Sequence, residues 1–255
     1  MTEKFTIEIG DNGICKFGLN INEQNSFDLS DLQLLQKKLE LVLKDSKVRV
    51  LILHSIRANV FSLGLNLNEL AKNSVDSTRE FLNLFFGILG LLYNFPTPVI
   101  SVMRGHAIGY GCMLALASDY RFITEKARIG LPEVKLGIRV PILVSRFLQD
   151  ILIPAKANQL TLEGFTIKGY ESLKIGLVDQ IVKEEDQLLF AEKFARKFLQ
   201  NSSSATALTK KAQRHYIDTD GIIRLDTDLQ LIAVNTADAK EGILAASERR
   251  RPSFA

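Results

Sequence analysis

Residues 99–117 read VISVMRGHAIGYGCMLALA, and this stretch decides the fold class. The compact apolar run Val99–Met103, rich in β-branched residues, is typical of a strand that is buried on both faces. Glycines separate this run from the small residues at positions 109–117, which predict a helix. A strand that passes through a glycine turn into a helix is the unit from which mostly parallel α/β cores are built.

The same alternation of strands and helices extends outward from this stretch. Apolar spacing predicts a hairpin over 5–19 with its turn at 11–13, helices over 31–43 and 77–93, and strands over 48–53 and 120–123. From Asp186 onward the patterns are almost wholly helical, over 188–199, 205–217, 221–237 and 239–249. We therefore predict one domain over residues 1–255, with an α/β core over 1–185 and a helical C-terminal segment over 186–255.

The bulk composition excludes several classes of protein. A hydrophobic fraction of 46% and a charged fraction of 24% are ordinary globular values, and a net charge of +3 is too small to predict nucleic-acid binding. No apolar run approaches the ~18 residues that a membrane-spanning helix needs, and the first residues lack the pattern of a secretory leader. We expect a cytoplasmic protein without a membrane partner. Cys15 and Cys112 lack metal-ligand spacing, so no metal site is predicted.

Three short segments are candidates for chemistry: VFSLGLNL at 60–67, RGHAIGYGC at 104–112 and GLPEVKLG at 130–137. The first two leave a predicted strand through a glycine and enter a helix-like stretch. The first N–H groups of a helix lack partners within the helix and lie at the positive end of its dipole. Two such turns that faced one another would form an oxyanion hole from backbone alone. Either glycine taken singly is more consistent with an ordinary turn.

In their order and spacing, these segments resemble the crotonase (enoyl-CoA hydratase/isomerase) superfamily. The resemblance runs from Asn25-Ser26-Phe27 through IGLVDQIV at 175–182 and into the helical tail. It implies a crotonase-type ββα spiral core with a helical C-terminal trimerisation segment. The implied substrate is an acyl-CoA thioester, in which coenzyme A is part of the substrate, so no separate cofactor is expected.

The resemblance also implies roles for individual residues. Leu65 and Tyr110 would donate the two oxyanion N–H groups, and Glu133 would be the acid/base. The residues implied to contact coenzyme A are Ser26, Phe27, Leu63, Gly64, Leu65, Asn66, Leu67, Tyr110 and Pro132. Two of them depart from the family pattern, because Tyr110 stands where glycine is frequent and Asn66 where aspartate is usual.

The departure with the largest consequence is Met113, which stands where hydratases of this family carry a second glutamate. Hydration needs both carboxylates, and a thioether cannot exchange a proton usefully. Glu133 alone could still move a proton from C2 to C4 beside an enolate, as Δ3-Δ2-enoyl-CoA isomerases do. LPEVKLGI at 131–138 and FSLGL at 61–65 also resemble those isomerases, which likewise have an apolar residue at the position of Met113.

Other interpretations stay open from the sequence. Glu133 could be a solvated carboxylate, or could pair with Lys135 or Arg128. The reaction could be hydration, decarboxylation or thioester hydrolysis, or the chain could bind acyl-CoA without catalysis. Asp119 is predicted to be a cap or turn residue, although it or Glu69 could replace the missing acid.

The helical tail carries two further predictions. Its apolar residues are interpreted as packing surface and not as ligand pocket, and the resemblance implies that they form a homotrimer or a dimer of trimers. The residues that would be covered in this way are Leu208, Ile217, Ile222, Ile223, Leu229, Leu231 and Ile232. The basic run Arg249–Arg251 is either a solvated chain end or a contact to the coenzyme A phosphates at the mouth of the active site.

Overall fold

The structure, a computed structural model, describes residues 3–66 and 75–254. Within these residues the strands form a six-stranded and a four-stranded sheet. The strands are β1 (Phe5–Ile9), β2 (Ile14–Leu19), β3 (Val50–Ser55), β4 (Val60–Ser62), β5 (Val99–Met103), β6 (His106–Ile108), β7 (Tyr120–Thr124), β8 (Arg128–Gly130), β9 (Thr166–Lys168) and β10 (Gln180–Val182). The strand order is β1-β2-β3-β5-β7-β10 in the larger sheet and β4-β6-β8-β9 in the smaller one.

Helices surround both sheets. The helices in the described ranges are α1 (Leu29–Lys44), α2 (Val75–Tyr93), α3 (Tyr110–Leu116), α4 (Ile142–Ile151), α5 (Pro154–Glu163), α6 (Gly169–Lys174), α7 (Gln187–Ala195), α8 (Ser203–Arg214), α9 (Thr219–Ala233) and α10 (Ala237–Ser247). Short 3-10 helices cover Glu133–Leu136 and Arg196–Gln200. The predicted α/β class and the helical C-terminal segment are confirmed, with element bounds that differ by a few residues. None of the described helices is long and apolar enough to cross a membrane.

The larger sheet is mostly parallel, as predicted. Its edge pair β1–β2 is antiparallel, and the pairs β2–β3, β3–β5, β5–β7 and β7–β10 are parallel. All residues of β3 and β5 are buried, which explains their continuous apolar runs. Apolar clusters cover both faces of these central strands, and α7 contributes to the smaller cluster through Ala191 and Ala195.

The smaller sheet positions the three candidate segments. Strands β4, β6 and β8 are parallel neighbours. Strands β4 and β6 lie within the first two segments, and β8 leads into the third. Because the carboxyl ends of parallel strands meet at one edge of a sheet, residues 63–65, 109–110 and 131–133 converge there. Ligands of α/β proteins commonly bind at such an edge.

The C-terminal helices fold back onto this edge. Helix α9 contacts α2, where Thr227 Oγ1 donates a hydrogen bond to Asn83 Oδ1 at 3.0 Å. Helix α10 crosses the 3-10 helix so closely that a Cβ on Gly242 would lie 2.2 Å from the Leu136 carbonyl oxygen. The tail is therefore packed directly against the segment that carries Glu133.

Asp119 connects α8 to the larger sheet. Its carboxylate accepts hydrogen bonds from the Val99 N–H at 2.7 Å, from Lys210 Nζ at 2.5 Å and from Arg214 Nη2 at 2.6 Å. Two cations and one amide therefore hold this carboxylate in place. The prediction that Asp119 is a structural residue agrees with these contacts.

Candidate active site

The two glycine turns adjoin one another. Gly64 and Gly109 both have positive φ angles, 98° and 56°. A Cβ on Gly64 would lie 3.2 Å from the Ile108 carbonyl oxygen and 3.3 Å from the Tyr110 nitrogen. The chain after β4 therefore contacts the chain after β6, and the contact has little space for a side chain at position 64.

The N–H groups of Leu65 and Tyr110 have no hydrogen-bond acceptor within residues 3–66 and 75–254. Neighbouring N–H groups are paired: that of Asn66 donates to the Phe27 carbonyl at 2.9 Å and that of Gly109 to the Gly130 carbonyl at 3.0 Å. These two N–H groups can therefore bind an oxygen atom of a ligand. The helix that follows the second turn, α3, has only seven residues. Its dipole is thus a small contribution, and the two donors themselves would form an oxyanion hole.

The Tyr110 side chain is accommodated by aromatic packing. Its ring stacks on Phe85 of α2 at 4.4 Å between centroids and meets Phe27 edge-on at 5.3 Å. Its hydroxyl donates a hydrogen bond to the Phe85 carbonyl at 3.2 Å. Since the ring is packed between two aromatic rings and its hydroxyl is hydrogen-bonded, the side chain holds the backbone turn that presents the Tyr110 N–H.

Glu133 begins the 3-10 helix after β8, and its side chain is buried beside the second turn. A Cβ on Gly109 would lie 3.2 Å from Glu133 Oε1. Glu133 Oε2 is buried and has no hydrogen-bond partner among the described residues. Burial raises the pKa of Glu133 from 4.5 to about 7. A carboxyl group with a pKa near neutral can both take up and return a proton.

The interpretation of Glu133 as a solvated or ion-paired carboxylate is wrong. The Glu133 side chain is 8% exposed. Arg128 binds Thr166 instead, through an Nε–Oγ1 hydrogen bond of 2.8 Å. Lys135 forms no ion pair with Glu133 in the described residues.

A cavity of about 810 Å³ joins the three segments. Six of the residues that the sequence predicted for the site line this cavity, namely Leu63, Gly64, Leu65, Tyr110, Pro132 and Glu133. Ser26, Phe27 and Asn66 do not line it. Phe27 supports the first turn instead, because its N–H donates to the Gly64 carbonyl at 3.0 Å. Contacts of Ser26, Phe27 and Asn66 with coenzyme A stay predictions, and Leu67 lies outside the described residues.

Met113, at the position where the family resemblance implies a second glutamate in hydratases, lies in the cavity wall. Glu133 is the only carboxylate among the described residues that line the cavity. Asp119 is not one of these residues and is held by Lys210 and Arg214, so it cannot replace the missing acid. Glu69 lies outside the described part of the chain.

Much of the remaining wall comes from helices that were not predicted to lie at the site. Helix α2 contributes Phe81, Leu82 and Phe85, and α9 and α10 contribute residues that include Gln230, Leu231, Ile243 and Leu244. The interpretation of the apolar tail residues as packing surface alone is therefore wrong for Leu231 and Leu244. Helical spacing is the same whether an apolar face packs against a sheet or lines a cavity, so the sequence held no signal for this role.

The basic run at 249–251 follows α10 directly. Arg250 forms ion pairs with Glu241 and with Glu248, the latter at 2.6 Å between Nε and Oε2. Its guanidinium is therefore already bound to carboxylates of its own chain. Lys240, which is exposed and lines the cavity, is a second cation near the opening. A contact between the run and coenzyme A phosphates stays a prediction.

Comparisons with known proteins concern the family and the fold. The family model for enoyl-CoA hydratase/isomerase matches residues 10–255. A crotonyl-CoA hydratase of Syntrophomonas wolfei is 31% identical over 212 residues, which cover 82% of each chain. The human mitochondrial delta3-delta2-enoyl-CoA isomerase structure has a TM-score of 0.92 at 25% identity, covering 97% of this chain and 98% of the other. A Bacillus anthracis enoyl-CoA hydratase structure has a TM-score of 0.78 at 26% identity, covering 99% of each chain.

Proposed function

We propose that this chain, which belongs to the enoyl-CoA hydratase/isomerase family, is an isomerase that shifts the double bond of a 3-enoyl-CoA to the 2-position. The observation that carries the proposal is the pairing of one buried carboxylate, Glu133, with a methionine at position 113 in the same cavity. One carboxylate is sufficient to move a proton from C2 to C4 of an acyl chain. Hydration requires a second group to activate water.

The reaction follows from the positions of these groups. The thioester oxygen would accept hydrogen bonds from the N–H groups of Leu65 and Tyr110, which stabilise the negative charge that develops when C2 loses a proton. Glu133 would take that proton and return it to C4, so the C3–C4 double bond becomes a C2–C3 double bond. The proton count balances without water, metal or redox chemistry. The pKa of about 7 makes both transfers accessible near neutral pH.

Hydration is the second candidate, because the relative from Syntrophomonas wolfei is named a hydratase. The chemistry of the lining residues argues against it, since Met113 can neither hold nor activate a water molecule. The similarity of the backbone to the human isomerase, with a TM-score of 0.92, also supports isomerisation.

Substrate assays distinguish these candidates. With 3-hexenoyl-CoA we expect the conjugated thioester absorbance to appear, and with crotonyl-CoA we expect that absorbance to persist. Because a missing acid/base group costs about 10²–10⁴-fold, isomerisation should exceed hydration by at least about 10²-fold. Met113→Glu is the matched variant, and it should raise hydration if the Tyr110 side chain leaves room for water. Comparable rates of the two reactions would contradict the proposal, and binding without turnover would indicate a non-catalytic acyl-CoA-binding protein.

Assembly into a homotrimer or a dimer of trimers is part of the same proposal. Leu225, Leu229 and Ile232 lie at helical spacing on α9 and are exposed, Ile232 by 68%. Leu208 of α8 is exposed by 67%. The prediction needs one correction, because Ile217 and Leu231 are already covered within the chain.

We expect light scattering to report a mass of at least three chains. Ile232→Glu should reduce this mass, because a charge placed in an apolar interface is desolvated without a partner. Leu41→Glu, at an exposed leucine of α1, is the control and should leave the mass unchanged. A stable and active monomer would contradict the assembly.

A further inference from the structure

One wall of the cavity carries polar groups that the proposed proton shift does not use. Gln230 of α9 lines the cavity and is 6% exposed. Its Oε1 is buried and has no hydrogen-bond partner in the described ranges. An amide of this kind lowers stability unless a ligand bonds to it. Its two ends have the same shape, so a half-turn of the amide can present either N–H donors or an acceptor to the cavity.

Arg139 lines the same cavity and has donors that the fold leaves unused. Its Nη2 donates to the Asp226 carboxylate at 2.6 Å and to the Asp226 carbonyl at 2.9 Å. Its Nε has no partner among the described residues, and its Nη1 has only a contact of 3.4 Å to the Val140 carbonyl. Because Nε is enclosed by the fold, Nη1 is the atom whose N–H donors remain for a carboxylate in the cavity.

Asp226 does not exhaust the charge of Arg139. The Asp226 carboxylate is fully buried and also accepts hydrogen bonds from the N–H groups of Ile142 at 2.8 Å and Leu143 at 2.9 Å. Its negative charge is therefore shared between the start of α4 and Arg139. Lys240 adds a second cation to the cavity, in which Glu133 is the only acid among the described lining residues. With Asp226 counted the charges balance, so an anionic group is favoured by the remaining Nη1 donors of Arg139 and by Lys240, and not by an excess of positive charge.

We infer that the acyl chain of the substrate ends in a carboxylate, which Arg139 binds with the amide of Gln230 beside it. The inference rests on the proposed function for the bond that reacts, but the recognition itself needs no turnover. Arg139 and Gln230 are thus specificity-determining residues, and the substrate class is a dicarboxylic acyl-CoA in place of a simple fatty acyl-CoA.

Binding of saturated thioesters tests the inference, because these compounds cannot be isomerised. Calorimetric titration would compare pairs of equal length: butyryl with succinyl-CoA, pentanoyl with glutaryl-CoA, and hexanoyl with adipoyl-CoA. We expect the carboxylated member of at least one pair to bind about tenfold or more tightly, as expected for a hydrogen bond to a charged group. Equal affinities in all three pairs would overturn the inference. So would equally tight binding of the hydroxyl-ended analogue of the preferred length.

Two variants assign the preference to its residues. Arg139→Met should bring the affinities of the preferred pair to within about twofold. Gln230→Met should weaken the preference and raise the melting temperature, since it removes a buried amide that lacks a partner. Arg79→Met is the matched control, because Arg79 pairs with Asp228 outside the cavity. A preference that survives both cavity variants would overturn the assignment. The Gln230 variant keeps the test decisive if the loss of Arg139 prevents folding.

Discussion

We expect turnover of 3-hexenoyl-CoA to fall by about 10²–10⁴-fold in Glu133→Gln, while affinity for acyl-CoA should stay near that of the unchanged protein. Glutamine has the shape of glutamate but cannot take the C2 proton. The substitution leaves the N–H groups of Leu65 and Tyr110 in place, so the thioester can still bind. Steady-state rates with 3-hexenoyl-CoA and titration with hexanoyl-CoA measure the two quantities. Full turnover in a preparation free of the unchanged protein would remove Glu133 from the mechanism.

The same variant has a second readout that excludes misfolding as the cause. The pKa of Glu133 is raised in the fold, to about 7 from 4.5. The folded protein therefore binds the proton more tightly than the unfolded chain, and the stability that this proton contributes is lost as the pH rises from 4.5 through 7. The difference corresponds to about 3 kcal/mol above pH 7. Urea unfolding should find Glu133→Gln more stable by about this amount at pH 8.5, with no difference below pH 4.5.

Gly64→Ala should lower kcat by about 10²–10³-fold, which is the cost of losing one oxyanion donor. The φ of 98° is rarely adopted by a residue with a side chain. The added Cβ would lie 3.3 Å from the Tyr110 nitrogen and 3.2 Å from the Ile108 carbonyl oxygen. To relieve this contact the two turns must separate, which displaces the Tyr110 N–H from the position of the thioester oxygen.

Gly87→Ala is the matched control for this substitution. A Cβ on Gly87 would meet nothing within 4 Å, and the residue lies inside α2. This variant should keep its turnover and gain up to about 1 kcal/mol of stability, since alanine favours a helix over glycine. Stopped-flow rates and thermal melts of both variants separate the local effect at position 64 from the general effect of adding a methyl group. Normal turnover in Gly64→Ala would contradict the role of the adjoining turns.

The sequence predicted many of the elements, but it missed the short strands and also helices α4 and α5. Strands β3 and β5 and helices α1 and α2 carry enough apolar residues for their period to be recognised. Strands β4, β6, β8 and β9 have three residues each, too few to show a period. Their positions follow from pairing with distant neighbours, for example Ile108 with Gly130. The edge of the smaller sheet that carries the candidate site was therefore recognised mainly through the family resemblance.

The candidate site was predicted unevenly for a related reason. Leu65, Tyr110 and Glu133 each belong to a short motif, so their convergence could be expected. Gln230 and Arg139 belong to no motif. They reach the cavity because α9 packs against α2 and because Arg139, which follows the 3-10 helix, pairs with Asp226 of α9. The sequence also left open whether Glu133 forms an ion pair with Lys135 or Arg128. The structure decided it, because Arg128 is held by Thr166 and the carboxyl group is left to the cavity.

Helix α10 crosses the 3-10 helix of Glu133, and this has a consequence for biosynthesis. Chains are made from the N-terminus, and the parts of a fold assemble as they are translated. The sheets can thus form on the ribosome before residues 237–247 are available. Until these residues emerge, the part of the cavity wall formed by Ile243 and Leu244 is missing. The cavity that Glu133 lines is therefore completed only when residues 237–247 have emerged and packed against the 3-10 helix.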